Sequence, residues 1–269
     1  MESLSSRSNP KIKQIRALLQ QRKARRATGL FVMEGIRHVG EAAQAGARIE
    51  YLCYAPELLT SEFAAHLIQE QAARGVLCLA VAAELFADLA EKDNPPGILA
   101  VVHQPSHSLE QLAPAINPWL VALVAPQDPG NIGTILRTID AVGANGLILL
   151  GQSADPYHPS AVRASMGTIF WYPVVEAEFT GFAAWSARNG YTIYGTSTHA
   201  SQDYQQVKGY RAPRILLMGS ERQGLTPEQA AICHELLSLP MHGRATSLNL
   251  AVATGVMLYA MLERSGDVV

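Results

Sequence analysis

Trp119-Leu-Val-Ala-Leu-Val-Ala125 runs directly into Pro126-Gln-Asp-Pro-Gly-Asn-Ile-Gly-Thr-Ile-Leu-Arg137, and the reading of this stretch decides the fold. A continuous apolar run with no polar alternation describes a strand covered on both faces, as in a parallel sheet with helices on each side. The Pro- and Gly-rich turn after it, with Asn131 placed as a helix cap and apolar residues at helical spacing beyond, completes a strand–turn–helix unit. In α/β proteins the C-terminal ends of such strands face ligands. Arg137 falls six residues into the helix beside small and apolar neighbours. That position fits a ligand-facing arginine and a plain surface arginine equally.

Working outward, the same alternation continues to the C-terminus. Strands are expected at 146–150, 192–196, 214–218 and 236–239, with helices at 132–142, 159–166, 181–188 and 248–263. The last helix is apolar and rich in small residues, which suits a buried or interface position. Upstream, 103–117 has no sustained apolar periodicity and contains Pro105, Ser106, Ser108 and Pro114, so it reads as a linker. Before it, Ser8-Asn9-Pro10 starts a helix with Ile12, Ile15, Leu18 and Leu19 on one face. Strands at 30–33, 49–54, 76–81 and 98–102 then alternate with helices at 34–44, 61–73 and 83–90. The expected organisation is a small α/β domain over 1–102, a linker over 103–117 and a second α/β domain over 118–269.

With 269 residues, 48% hydrophobic and 16% charged, the chain has enough apolar sequence for two cores, which excludes a mainly disordered protein. No apolar run approaches the roughly 18–20 residues that span a bilayer. The basic N-terminus leads into an amphipathic helix rather than a signal-peptide core, so the expected location is the cytoplasm. Cys53, Cys78 and Cys233 are too scattered for a disulfide framework or a CxxC metal site. The net charge of −2 conceals an asymmetry: residues 1–48 carry ten Lys/Arg and three Asp/Glu, the remainder eleven and twenty. A basic end on an acidic chain is a footprint for a polyanion, and an Arg-rich solvated helix face reads the same way.

Several enzyme classes are excluded by what is missing. The chain has no GxGxxG after a strand, no GxxxxGK[ST], no HExxH and no GxSxG. Two further segments instead repeat the strand–loop layout. Ile215-Leu-Leu-Met-Gly-Ser-Glu-Arg-Gln-Gly224 is a strand entering a glycine-bearing loop. Leu239-Pro-Met-His-Gly-Arg-Ala-Thr-Ser-Leu-Asn-Leu-Ala-Val-Ala-Thr-Gly255 is a loop opening onto the final helix, with Ser247 and Asn249 at the helix start.

In order and spacing, the three segments resemble the signature motifs of the SpoU-class (TrmH-like) RNA 2′-O-ribose methyltransferases of the SPOUT superfamily. The first is Asn131-Ile-Gly-Thr-Ile-Leu-Arg137 with Ala141 and Gly143, the second Leu217 to Gly224, the third Leu239 to Gly255. Asp155-Pro-Tyr-His-Pro-Ser-Ala-Val-Arg163-Ala-Ser165-Met-Gly167 is similar to the family's middle segment. The resemblance covers about 120–263. Ser8 to Arg16, together with Phe31-Val-Met-Glu34-Gly35-Ile-Arg37, resembles the substrate-binding domain appended to ribosomal-RNA members, itself similar to small ribosomal RNA-binding proteins.

The resemblance implies an α/β fold: a C-terminal parallel-sheet SPOUT domain with a deep trefoil knot, preceded by a small α/β RNA-binding domain. It implies S-adenosyl-L-methionine as methyl donor, held by Thr196, Gly219, Leu239, Met241 and Leu248. Arg137 takes the catalytic position, with Asn131, Glu221, Ser247 and Asn249 holding the loops and substrate. For Arg137 the family offers a general-base role, which a guanidinium that stays protonated disfavours, and an orienting or electrostatic role; the sequence does not separate them. Lys11, Lys13, Arg16, Arg37 and Arg163 are the implied RNA contacts, and a homodimer with the active site at its interface is the implied assembly, without metal or membrane. The expected activity is methyl transfer to a ribose 2′-hydroxyl of 23S-type ribosomal RNA. The alternatives are a tRNA ribose methyltransferase, a non-catalytic ribosome- or RNA-binding protein, and an α/β enzyme acting on a small nucleotide. His242 and the Trp171-Tyr172 pair depart from the family pattern.

Overall fold

The computed structural model of the chain describes residues 4–90 and 95–264. It forms two compact units, Met1–Pro105 with Tyr157–Trp171, and Ser106–Pro156 with Tyr172–Val269.

The first unit begins with α1 (Pro10–Gln20), where the Asn9 side chain accepts from the Lys11 amide and Pro10 occupies the first turn. Ile12, Ile15 and Leu18 form its buried face. In α2 (Arg22–Thr28), Arg25 is only 2% exposed, and its Nη1 donates to the carbonyls of Leu18 at 2.6 Å and Leu19 at 3.2 Å. Arg25 thus closes the end of α1 instead of joining the basic surface. The sheet comprises β1 (Leu30–Glu34), β2 (Ile49–Tyr54), β3 (Leu77–Ala80) and β4 (Ile98–His103) in the order β1-β4-β2-β3. Strand β4 is antiparallel to both neighbours, while β2 and β3 are parallel.

Strand alternation divides the core of this unit between the two sheet faces. Leu30 and Val32 pack with α1 and with α5 (Ala83–Leu89) on one face. Phe31 and Met33 pack on the other with α3 (Ile36–Gln44) and α4 (Glu62–Ala73).

The second unit opens with residues from 103–117. Leu109 and Leu112, around a short turn of helix at Leu109–Gln111, are buried in its core. Strand β5 (Trp119–Val124) is buried at every position, as its uninterrupted apolar run dictates. It leads into α6 (Pro129–Val142), which starts three residues before the helix read from the sequence. The cap is Asp128, whose Oδ1 accepts from the Gly130 amide at 2.8 Å, and Pro129 supplies the first-turn proline. Asn131 therefore lies inside the first turn and is 7% exposed, rather than capping the helix.

After β6 (Leu147–Leu150), α7 (Pro159–Ser165) belongs to the first unit. There Val162 joins the Phe31 face, with Tyr157 and Phe170 rings 4.9 and 5.8 Å from Phe31. The second unit resumes with β7 (Val174–Ala177), α8 (Phe179–Arg188), β8 (Thr192–Thr196), β9 (Gln202–Asp203), β10 (Arg214–Met218), α9 (Pro227–Ala231), β11 (Glu235–Ser238) and α10 (Leu250–Glu263). Strands β7 and β9, at the two edges, have no counterpart in the sequence reading.

The seven strands are parallel throughout and ordered β7-β6-β5-β10-β8-β11-β9. The order reverses between β5 and β10, and it is at such a switch point that open parallel sheets take ligands. The three motif segments follow β5, β10 and β11, so the topology brings them to one edge.

Candidate active site

The segment after β5 and the one after β10 meet at Glu221. One carboxylate oxygen accepts from the Gln127 amide at 3.0 Å, the other from Asn131 Nδ2 at 2.7 Å. The third segment joins through Asn249, whose Nδ2 donates to Asn131 Oδ1 at 3.0 Å. Asn249 Oδ1 in turn caps α10, accepting from the amides of Ala251 at 2.9 Å and Val252 at 3.3 Å.

The direction of this chain is fixed from both ends. An ionised carboxylate only accepts, so Asn131 must present its NH2 to Glu221 and its oxygen to Asn249. Free amides at a helix N-terminus only donate, so Asn249 must present its oxygen to α10 and its NH2 to Asn131. The two requirements agree, giving each amide one orientation.

Beside this network lies a cavity of about 380 Å³. Leu239, Met241, Leu248 and Leu250 give it apolar walls, while Thr196 to His199 and Ser220 to Gln223 supply polar groups. The five expected donor-binding residues, Thr196, Gly219, Leu239, Met241 and Leu248, all line it, as do Glu221 and Ser247. Its size and mixed lining fit a nucleoside bearing an amino-acid tail. Gly219 has a further duty. A Cβ there would fall 2.3 Å from the Gly224 carbonyl carbon and 2.5 Å from the Leu225 nitrogen. The turn is closed by Ser220 and Gly224, whose backbones pair in both directions at 3.0 and 2.9 Å. Gly219 is thus required by the turn itself, before any ligand is considered.

Arg137 projects from α6 as an exposed side chain with no hydrogen-bond or ion-pair partner among the described residues. Ser247 is exposed on the loop before α10. The five residues expected to contact RNA all lie in the first unit but not on one surface. Lys11, Lys13 and Arg16 are on α1, which covers one face of the four-stranded sheet; Arg37 on α3 and Arg163 on α7 belong to elements covering the other. Lys11 Nζ sits 4.2 Å from the Tyr51 ring centroid, and Arg16 approaches Asp88 at 4.0 Å. Lys13 and Arg37 are exposed.

Sequence reasoning gave no site role to Gln127, Asp128 or His199. The signal for Asp128 was present, since Asp-Pro is a cap followed by a first-turn proline. His199 lines the cavity from the segment that follows β8. Burial pushes the Cys53 and Cys233 thiols up, to about 12 and about 11, so neither is poised as a thiolate nucleophile. Among the described residues there is no metal-holding cluster, and no helix is long and apolar enough to cross a membrane.

Fold and site together define an α/β protein that holds a nucleoside-sized ligand at the C-terminal edge of a parallel sheet. The chain belongs to the SpoU rRNA Methylase family, whose model matches residues 118–259; residues 9–100 match the MRM3-like substrate binding domain. It is 34% identical over 264 residues to the 23S rRNA (uridine(2479)-2'-O)-methyltransferase of Streptomyces viridochromogenes, covering 95% of this chain and 90% of that one. Identity to the 23S rRNA (guanosine(2553)-2'-O)-methyltransferase RlmP of Bacillus subtilis is 29% over 259 residues, covering 96% and 98%. The AdoMet-bound rRNA methyltransferase from Sinorhizobium meliloti superposes with a TM-score of 0.88 at 37% identity, over 97% of both chains.

Proposed function

We propose that this protein is an S-adenosyl-L-methionine-dependent RNA methyltransferase that methylates a ribose 2′-hydroxyl of 23S-type ribosomal RNA. The observation that carries this reading is the Glu221–Asn131–Asn249 chain, which ties three separate segments together beside a nucleoside-sized cavity. The family membership and the names of relatives matched over nearly their whole length support the reaction and the RNA.

When bound, S-adenosyl-L-methionine supplies an electrophilic methyl group on a sulfonium. Leu239, Met241, Leu248 and Leu250 offer the apolar walls for an adenine ring, with Thr196 and the 219–224 turn on its flank. Glu221, with both oxygens engaged, holds the first two segments in register; it is a positioning group, not a proton acceptor. Arg137 is the catalytic residue in this reading. Its guanidinium orients an RNA phosphate and stabilises charge developing on the 2′-oxygen, whose proton leaves to that phosphate or to solvent water. Fixing the hydroxyl in line with the methyl group is worth roughly 7–11 kcal/mol in favourable systems, so positioning carries much of the rate.

The N-terminal domain binds the RNA, supported by its match to a substrate-binding domain and by the basic residues of α1. The working form is a cytoplasmic homodimer with the knotted C-terminal topology of the family. Val252 and Tyr259, apolar yet 53% and 50% exposed on α10, support a subunit interface there. Methyl-labelled donor offered to separate unmodified rRNA and tRNA fractions tests the substrate assignment. Label in the rRNA fraction alone is expected, and label in tRNA alone overturns it.

A further inference from the structure

We propose that Gln127 is a positioning residue for this reaction, its side-chain amide holding the turn that aims its own backbone N–H at Glu221. The inference rests on the methyl-transfer reading above and names a residue outside the family motifs quoted for the site.

Ala125, the first residue after β5, takes a left-handed conformation, φ +43°, without being glycine. Such a conformation is unfavourable for an L-residue and persists only where neighbours hold it. Gln127 Nε2 donates to the Ala125 carbonyl at 2.7 Å and to the Gln152 carbonyl, on the loop after β6, at 3.3 Å. Two backbone bonds brace the same turn: the Ala125 amide to the Leu150 carbonyl at 2.8 Å and the Ala154 amide to the Pro126 carbonyl at 2.7 Å. The backbone bonds anchor residues 125 and 126. The side-chain bonds act on residue 127 itself, whose N–H reaches Glu221 Oε2 at 3.0 Å.

The consequence passes along the chain of amides. With one oxygen held by the Gln127 N–H, Glu221 turns its other oxygen to Asn131, and Asn131 presents its own oxygen to Asn249. A planar amide of this length supplies two donors to two carbonyls. Glutamate supplies none when ionised, and methionine has nearly the same volume and no donor.

The test uses the full-length protein and its Gln127→Met and Gln127→Glu variants. Turnover on rRNA, donor affinity and stoichiometry by calorimetry, and urea unfolding are measured on each. The expected result is a loss of tenfold or more in kcat in both variants, with donor stoichiometry unchanged, donor Kd within twofold and unfolding midpoints near wild type. Wild-type kcat in Gln127→Met, or a kcat loss matched by a lost fraction of binding-competent protein, overturns the proposal. A crystal structure of Gln127→Met gives a reading independent of any methyl transfer: the 127 amide is expected beyond 3.5 Å from Glu221, and an unmoved contact overturns the inference. If wild-type protein methylates no RNA, the reaction assignment fails on its own, and that structure still decides the role of the side chain.

Discussion

The amide of Asn249 donates to the amide oxygen of Asn131 across 3.0 Å, joining residues 118 positions apart and linking the first turn of α6 to the cap of α10. Because the Glu221 carboxylate lies at one end of this chain and free helix amides at the other, neither amide can be reversed. The loop carrying Ser247 and Leu248 is thereby tethered beside the helix carrying Arg137.

Asn131→Asp replaces the donor facing Glu221 with a second carboxylate. Two such groups at hydrogen-bond distance repel when both are ionised, so destabilisation of about 1–3 kcal/mol is expected at neutral pH. The loss should shrink on acidification, as one proton comes to be shared by the pair. Urea unfolding across pH 5–8 checks this; a deficit independent of pH would show that the amide's direction is unimportant.

Gly219→Ala and Met241→Ala should separate the two demands made on the cavity. Gly219→Ala drives a methyl group into the Gly224 backbone, and a stability loss of about 1–3 kcal/mol is expected together with weakened donor binding. Met241→Ala removes apolar wall from a surface loop. It should leave the unfolding midpoint unchanged while weakening donor affinity by about tenfold, the equivalent of about 1.4 kcal/mol. Calorimetry and denaturation on the same preparations give both numbers.

Basic residues of the first unit divide into structural and surface groups. Arg25→Met leaves the α1 carbonyls of Leu18 and Leu19 without their donor and should cost about 1–3 kcal/mol of stability. Lys13→Gln should leave stability intact. In a salt titration of RNA binding, it should reduce the log–log slope by about 0.7–0.9 if Lys13 neutralises one phosphate. An unchanged slope would assign Lys13 to solvent alone.

Glu50 makes an identifiable local contribution to the acid limb of stability. A hydrogen bond from His103 holds the Glu50 carboxyl below its ordinary value of 4.5. A carboxyl depressed in the folded state contributes stability above its unfolded value and loses it as pH falls through the folded one. His103→Gln should therefore make the unfolding midpoint less sensitive to pH below about 4.5. The effect is small because the pair is partly exposed and screened by solvent.

Much of this architecture was legible in short stretches of sequence. The unbroken apolar run of β5 specified burial on both faces, and Leu30 to Met33 read as a short strand, whose two faces the structure places in two separate core clusters. The five cavity residues carried over from the family resemblance do meet around one space. What escaped the reading depends on contacts distant in sequence. Strand β9 has two residues, too few for a periodicity, and exists through its pairing with β11. The packing of Val162 with Phe31 and the burial of Arg25 against α1 leave no local signature. The cap at Asp128 was a different kind of miss: two good capping residues stood three apart, and only the proline between them favoured the first.

The most direct test of the account locates the transferred methyl group. Unmodified 23S-type rRNA is treated with wild-type protein and with Arg137→Ala, then subjected to alkaline hydrolysis and nucleoside analysis, with donor binding measured in parallel. The account predicts one alkali-resistant, ribose-methylated nucleotide with wild-type protein. It predicts a loss of at least a hundredfold in its formation with Arg137→Ala, at nearly unchanged donor affinity. A methyl group recovered on a base, or turnover by Arg137→Ala close to wild type, would contradict it.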